Sequence, residues 1–347
     1  MNNRKTVFFI LLLVILSLLY SSTLHSPFNF DDEVVIKHET IHNTKSHGFE
    51  KINLLQYRHL FYSSFIFNYS LGELRPFGYH LINISLHFFT SIVIFFIAFI
   101  TIEKGLSLNK KDALSIAGIT TIFFAINPVH SETVNYISAR AVGMSSFFYL
   151  SAFLSFIVGS VRGRKTSSRF LLYFLSLICF LASTLSKETA LTFPIVLFLY
   201  DVCFMRKNGW VPLTNRLLFF YLPLFLCGIF AIVNIHSLQS MIIEWWQKID
   251  IEYGLRQIHV IGHGFRLILF PIGLTFDYDF PNTFFTTHTL FYPPVLFALG
   301  IILMIALYFP KTRSMVFFCI LWFLITLAPT NSVLPRFDLL SERNLYL

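Results

Sequence analysis

The apolar residues of this chain fall in long blocks instead of alternating with polar ones. Runs of roughly 14 to 25 apolar positions, broken by short charged connections, are the pattern of helices that cross a bilayer. Nine such runs are read from the sequence: Val7–Leu24, Phe77–Thr101, Ala113–Ile126, Ala141–Ser160, Phe170–Leu185, Ala190–Phe204, Arg216–Ile235, His288–Phe309 and Met315–Ala328. A tenth apolar stretch, Gly254–Gly273, carries Arg256, His259, His263 and Arg266, and is expected to lie along the membrane surface or to re-enter it. The expected fold is therefore an all-α integral membrane protein, a polytopic bundle of about nine or ten transmembrane helices with a re-entrant or interfacial helix. Composition agrees: of 347 residues, 55% are hydrophobic and only 13% charged, with 43 Phe. A soluble globule carries about twice that charged fraction.

Charge then gives the expected topology. The clusters Arg4/Lys5, Lys104/Lys110/Lys111, Arg162/Arg164/Lys165/Arg169, Arg206/Lys207/Arg216 and Lys311/Arg313 fall on alternate connections, the pattern of cytoplasmic loops. They hold 14 of the 26 basic residues and, with Glu103, Asp112 and Asp201, three of the 18 acids, leaving 12 bases and 15 acids to the other connections. The first run has no small-x-small cleavage site after it and is read as an uncleaved span. Cys179, Cys203, Cys227 and Cys319 all lie in apolar runs with no ligand spacing, so neither a disulfide framework nor a zinc site is expected.

The dense polar motifs gather on the non-cytoplasmic face: Asp31-Asp32-Glu33, Arg58, Arg75, Asn127-Pro-Val-His130-Ser-Glu132, Arg140, Ser186-Lys187-Glu188, Asp277-Tyr-Asp279 and Ser341-Glu342-Arg343. One of them alone would be a solvated loop; ionisable groups concentrated at one membrane face read as a site. Adjacent carboxylates such as Asp31 and Asp32 can supply a general base or bind a cation, or simply cap a helix. Pro128 should end its helix and bring His130 and Glu132 to the membrane edge. Arg256, His259, His263 and Arg266 follow at intervals of 3, 4 and 3 residues, one stripe of a helix suited to a phosphate. His259 and His263 also have a metal-ligand interval, but no acid joins them, and no metal is expected. His80 and His87 stand two turns apart, too far for one ion, and are expected to hydrogen-bond inside the bundle. The sequons at Asn68 and Asn83 fall in or beside apolar helix. No Walker, GxSxG or other glycine-rich nucleotide motif is present. Chemistry on that face cannot draw on cytosolic nucleotides, so an activated donor must arrive on a lipid, with cations beside its leaving phosphate. A transporter or flippase of a lipid-linked or anionic substrate is the alternative; it would place charges at mid-span and repeat one half, and neither is visible. Nothing points to nucleic acid.

Phe30-Asp-Asp, Arg58-His-Leu, Arg75-Pro-Phe-Gly-Tyr-His-Leu-Ile-Asn-Ile-Ser-Leu-His87, Asn127-Pro-Val-His-Ser-Glu-Thr-Val, Ser186-Lys-Glu188, Ala328-Pro-Thr-Asn331 and Ser341-Glu-Arg-Asn-Leu-Tyr-Leu347 occur in an order that resembles the TMTC family of transmembrane and tetratricopeptide-repeat O-mannosyltransferases. The resemblance implies a GT-C type transmembrane domain over residues 1–347, with a first external loop at about 25–60. It also implies inverting transfer of mannose from a polyprenyl (dolichyl) phosphate to protein Ser/Thr, on the periplasmic or luminal side of a bacterial inner membrane or endoplasmic reticulum membrane. In a bacterial relative the acceptor would instead be a glycan or lipid. By the same resemblance Asp31 or Asp32, with Asp32 the first choice, is the base. His130, Glu132, Lys187, Glu188, Glu342 and Arg343 shape the donor pocket, with Arg58, Arg75 and the 256–266 stripe among its cations. No cofactor is expected beyond the lipid-linked donor. His59 stands where the family carries Pro, and Arg140-Ala-Val replaces an Arg-Ala-Asp type sequence. Further spans and a helical repeat array follow this region in the family, so the chain is expected to be a truncated form; no 34-residue period occurs within it.

Overall fold

The computed structural model describes residues 2–36, 41, 58–205, 209–234, 248–278, 300, 304, 308, 310–336 and 338–347. The described residues are mostly helical, with no strand among them beyond one isolated bridge between Val161 and Trp210. In chain order the helices are α1 (Asn2–Leu19), α2 (Asp31–Ile36), α3 (His59–Gly72), α4 (Pro76–Ile100), α5 (Lys110–Ile126), α6 (Ser131–Asn135), α7 (Arg140–Gly159), α8 (Thr166–Thr184), α9 (Phe193–Phe204), α10 (Leu213–Arg216), α11 (Leu222–Asn234), α12 (Ile251–Leu269) and α13 (Pro310–Leu327).

Helix α7 is the axis of the bundle. In the span Ile137–Gly159 that contains it, 72% of the apolar window is buried, against 17% for α8. The two pack face to face because Gly159 has no side chain: a Cβ there would stand 3.0 Å from the Tyr173 ring. Around α7 the aromatic rings of Tyr149, Phe153, Phe156, Phe193, Tyr200, Phe204 and Phe220 form the largest core. On α8 the outward stripe of Leu171, Phe174, Ile178 and Leu181 is exposed, while Ser176 and Ser183 turn inward and donate to the carbonyls of Ala152 and Ser145, each at 2.7 Å. Apolar side chains outside and small hydroxyls within are the arrangement of a lipid-facing helix.

Among the described residues three helices are long and apolar enough to cross a membrane, Pro76–Gly105, Ile137–Gly159 and Thr166–Thr184. Lys110–Ile126 with Pro128–Asn135 makes a fourth if the pair, bent by 51°, is one span. The runs expected at 7–24, 216–235 and 315–328 form apolar helices that are shorter (Lys5–Leu19, Leu213–Leu226 and Thr312–Leu327). The run at 190–204 divides into a 3-10 turn, Glu188–Thr192, and the 12-residue α9. Twelve residues rise only about 18 Å, short of a hydrocarbon core of about 30 Å. Most of the expected His288–Phe309 span and of the first external loop lies outside the described residues.

The two sets of connections separate to opposite ends. At one end Arg162 N donates to Gly209 O (2.7 Å), Thr101 pairs with Tyr200 (2.7 Å), and Arg216 forms a buried ion pair with Asp201 at 2.5 Å. At the other end lie the turns that follow α1, α5 and α8, together with residues 341–347. Helix α12 is amphipathic as expected: Gln257, Val260, Gly264 and Leu267 are buried, and Ile251, Leu255 and Ile258 are exposed. Gly264 admits the segment beside it, since a Cβ would meet Leu345 at 3.1 Å.

Candidate functional site

Pro128 lacks the donor that would continue α5, and Asn127 caps the break by accepting from Val129 N at 3.1 Å. The chain turns there into α6, which presents Ser131, Glu132 and Asn135 to a pocket of about 280 Å³. Asn29, Phe30, Tyr136, Leu274, Thr275, Phe276 and Glu342 complete its lining. Three of these groups are aromatic: Phe30 stacks on Phe276 with centroids 4.2 Å apart, and Tyr136 meets Phe276 edge-on at 4.9 Å.

The acidic pair divides sharply. Asp32 is 1% exposed, and its carboxylate accepts from Ser138 N (2.7 Å), Ser138 Oγ (2.6 Å) and Asn29 N (3.2 Å). It is tied into the 136–140 turn. Asp31 is exposed, and its backbone N–H donates to the Tyr136 hydroxyl at 3.3 Å. Burial, with the Asp31 and Asp32 charges behind it, pushes the Tyr136 phenol up to about 12. The first choice of Asp32 as base thus falls on the carboxylate whose oxygens are already occupied.

Glu132 is held by residues 341–343: it accepts from Ser341 Oγ (3.1 Å) and Arg343 N (2.8 Å), with the Arg343 guanidinium at 3.6 Å. Arg343 also reaches Asp338 at 3.2 Å and lies 5.8 Å over the Tyr136 ring. Glu342 Oε1 accepts from Thr275 N (2.8 Å) and Tyr278 OH (2.6 Å). Burial holds the Glu342 carboxyl above its usual range against those two donors.

Beside this pocket stands a cationic group. Lys187 is 7% exposed and donates to Asn344 Oδ1 at 3.1 Å. Burial, together with Arg58, Arg336 and Arg343, brings its ammonium down to about 7, opposed by Glu188. Glu188 pairs with Arg58 at 3.3 Å; burial would raise its carboxyl, but Arg58 and Lys187 outweigh that and hold it low.

Other expected residues stand elsewhere. His130 is behind the pocket wall, its ring 4.5 Å from Phe124 and 4.9 Å from Tyr346. Arg75 is exposed at the start of α4, outside the pocket lining. Arg256, His259, His263 and Arg266 do share α12, but only one end of the stripe approaches the pocket. His263 lies 5.5 Å from Tyr278, the tyrosine that donates to Glu342, whereas Arg256 pairs with Glu252 at 2.8 Å. His80 donates to Ser26 O at 3.1 Å, and His87 bridges Ala125 O (3.0 Å) and the Tyr346 hydroxyl (2.8 Å), both as internal hydrogen bonds. Among the described residues no three of His, Cys, Asp and Glu gather as metal ligands would.

Arg140 is the structural residue that the sequence understates. It is fully buried, and it donates to Asn83 Oδ1 (2.9 Å), Asn68 Oδ1 (2.7 Å) and Tyr79 O (2.9 Å), over the Phe65 ring at 4.4 Å. Asn83 in turn donates to Tyr136 O at 3.2 Å. Both sequon asparagines are therefore consumed in the network that seats Tyr136. The signal present in the sequence is an arginine beside one apolar run with Asn83 on a neighbouring run; Asn68 lies outside the nine runs.

With this geometry in place, comparison with known proteins gives one consistent result. The chain is similar to TMTC protein O-mannosyl-transferases. It is 33% identical over 159 residues to human protein O-mannosyl-transferase TMTC3, 45% of this chain and 16% of the relative. To protein O-mannosyl-transferase F38B6.6 of Caenorhabditis elegans it is 32% identical over 203 residues, 54% of this chain and 27% of the relative. To protein O-mannosyl-transferase tmtc2 of Xenopus laevis it is 32% identical over 212 residues, 55% and 23%. The matched stretch is thus less than a third of the length of any of these TMTC relatives. No family model matches the chain, and no solved structure matches it.

Proposed function

We propose that this chain carries the catalytic face of a membrane-embedded O-mannosyltransferase that takes its sugar from a polyprenyl phosphate on the non-cytoplasmic side. Similarity to the TMTC transferases supports the reaction class. The observation that carries the reading is the position of Tyr136: its hydroxyl accepts from the Asp31 backbone N–H, with the Asp31 charge near its phenol, and its ring carries the Arg343 guanidinium. A base and a cation across one ring are the two ends of an inverting displacement.

Asp31, exposed and next in sequence to Phe30 of the pocket lining, takes the proton of the acceptor hydroxyl as that oxygen attacks the anomeric carbon. The bond from that carbon to the phosphate oxygen breaks on the opposite face, and its electron pair leaves with the phosphate. Arg58, Lys187 and Arg343, with Arg336 beside them, meet the developing charge. Glu188 keeps the Arg58 guanidinium in place, and Glu132 does the same for Arg343. Asp32 holds the 136–140 turn against α2 and so sets the distance between Asp31 and Tyr136. Protein Ser/Thr is the proposed acceptor, on the strength of the relatives' names.

Membranes containing the protein are supplied with radiolabelled polyprenyl-phosphate-mannose, and label entering acceptor protein is counted. Transfer by the wild type that falls at least 100-fold in Asp31→Asn is expected. Full activity of folded Asp31→Asn would refute the assignment of the base, and absence of transfer from any polyprenyl-phosphate sugar would refute the reaction.

A further inference from the structure

The pocket described above has more chemistry than transfer to a hydroxyl requires, and its surplus is of one kind. Phe30, Tyr136 and Phe276 give it apolar, ring-lined surface. Set among those rings are polar groups whose capacity is only partly used. Glu342 Oε1 is occupied by Thr275 N and Tyr278 OH, whereas Oε2 accepts no hydrogen bond from the described residues. Asn135 Oδ1 accepts from Thr23 at 2.9 Å, and its amide nitrogen has no acceptor among the described residues. The Ser131 hydroxyl lines the same wall.

An aromatic face beside an acceptor and two donors is complementary to a pyranose. Such a ring presents a patch of C–H bonds on one side and a rim of hydroxyls, each both donor and acceptor. A purely lipidic ligand would desolvate Glu342 Oε2 without offering it a donor, which is unfavourable for a carboxylate oxygen. A free anion is disfavoured by Glu132 and Glu342 on the lining. The neighbouring cations Arg58, Lys187 and Arg343 are not on that lining, except that Arg343 reaches it through the Tyr136 ring.

We infer that this pocket is the monosaccharide subsite of the donor, in which the sugar ring lies against the Phe30–Tyr136–Phe276 surface and one ring hydroxyl donates to Glu342 Oε2. The inference rests on the donor reading above and adds the residues that recognise the sugar as distinct from its phosphate. Glu342 is here a specificity-determining residue: an axial and an equatorial hydroxyl at the same carbon point in different directions, so a single fixed oxygen selects one epimer. A hydroxyl-bonding site rejects a ligand that lacks the hydroxyl more strongly than an apolar site can.

The test compares two probes on the full chain in nanodiscs: polyprenyl phosphate, and polyprenyl-phosphate-mannose. Their affinity ratio isolates the sugar. In the wild type the mannose-bearing lipid is expected to bind at least tenfold tighter. Phe276→Leu and Glu342→Gln should each bring that ratio down at least threefold while leaving the affinity for the bare lipid phosphate unchanged; Arg58→Ala should weaken both probes alike. A wild-type ratio near one, or a ratio unmoved in both pocket variants, overturns the subsite. Failure of the wild type to bind either lipid would instead overturn the donor reading on which it rests.

Discussion

Removing the Asp32 carboxylate separates a structural acid from a chemical one. Asp32→Ala withdraws the acceptor of three hydrogen bonds, from Ser138 N, Ser138 Oγ and Asn29 N. Hydrogen bonds to a charged group contribute about 1.5–3 kcal/mol each, and a buried donor left without a partner costs about 1–3 kcal/mol. The Ser138 hydroxyl can rotate to another acceptor, and Asn29 is exposed and within reach of water. The loss that remains is chiefly that of the Ser138 N–H, so about 2–4 kcal/mol is expected for the variant. At about 2 °C per kcal/mol for a chain of this size, the apparent Tm falls by about 4–8 °C. Asp31→Ala, at an exposed position, should stay within about 0.5 kcal/mol of the wild type, or about 1 °C. The assay is a thermal shift in detergent at one fixed scan rate, because unfolding of such proteins is irreversible and scan-rate dependent. If Asp32→Ala melts within 2 °C of the wild type yet transfers no sugar, Asp32 is the chemical group and the division of the pair is refuted.

Lys187 makes donor binding depend on pH. Its folded value is lowered to about 7 by burial and by Arg58, Arg336 and Arg343. The ammonium is therefore lost as pH rises through about 7, whereas in an unfolded chain it persists to about 10.4. Affinity for polyprenyl phosphate should weaken between pH 6 and 8.5, and Lys187→Arg should flatten that profile; an equal slope in the variant would show that another group titrates. Arg140→Met leaves Asn83, Asn68 and the Tyr79 carbonyl without their donor. Because each stranded group adds its own penalty, a loss of about 3 kcal/mol or more is expected. Size-exclusion chromatography after mild heating would report it, with Arg140→Lys recovering only part because an ammonium cannot fork across the three acceptors. A monodisperse Arg140→Met protein would refute the network's weight.

Three of the expected spans form helices long and apolar enough to cross a bilayer. The runs expected at 77–101, 141–160 and 170–185 appear as helices 76–100, 140–159 and 166–184, because hydropathy alone decides them. The runs at 7–24, 216–235 and 315–328 form helices of 10–17 residues, and the 190–204 run divides before Phe193, with Pro194 in the first turn of α9. Helix α3 went unread: it starts after a left-handed Arg58, and its buried Phe61, Phe65 and Asn68 are meaningful only against Arg140. Within the site, residue types on the right face could be recognised, but not their roles. What distinguishes Asp31 from Asp32 is Ser138, 106 residues away in sequence. The helical stripe of α12 follows from spacing, and so does the i,i+4 pair of Glu252 with Arg256, whereas the approach of His263 to Tyr278 follows only from the fold.

The hold of residues 341–343 on Glu132 also fixes an order of events during synthesis. Arg343 follows Glu132 by 211 residues. At about 5–20 residues per second, roughly 10–40 s pass between their emergence from the ribosome. Through that interval the carboxylate has neither its guanidinium nor its backbone donor, and the pocket lacks the wall that Glu342 provides. Helices α1, α4 and α5 can already associate around Leu12, Leu16 and Ala125, while the turn that follows α5 waits in water. Insertion of the helices and completion of the site are thus separate steps in time, and a substitution at Glu132 or Arg343 would strike the second while leaving the first to proceed.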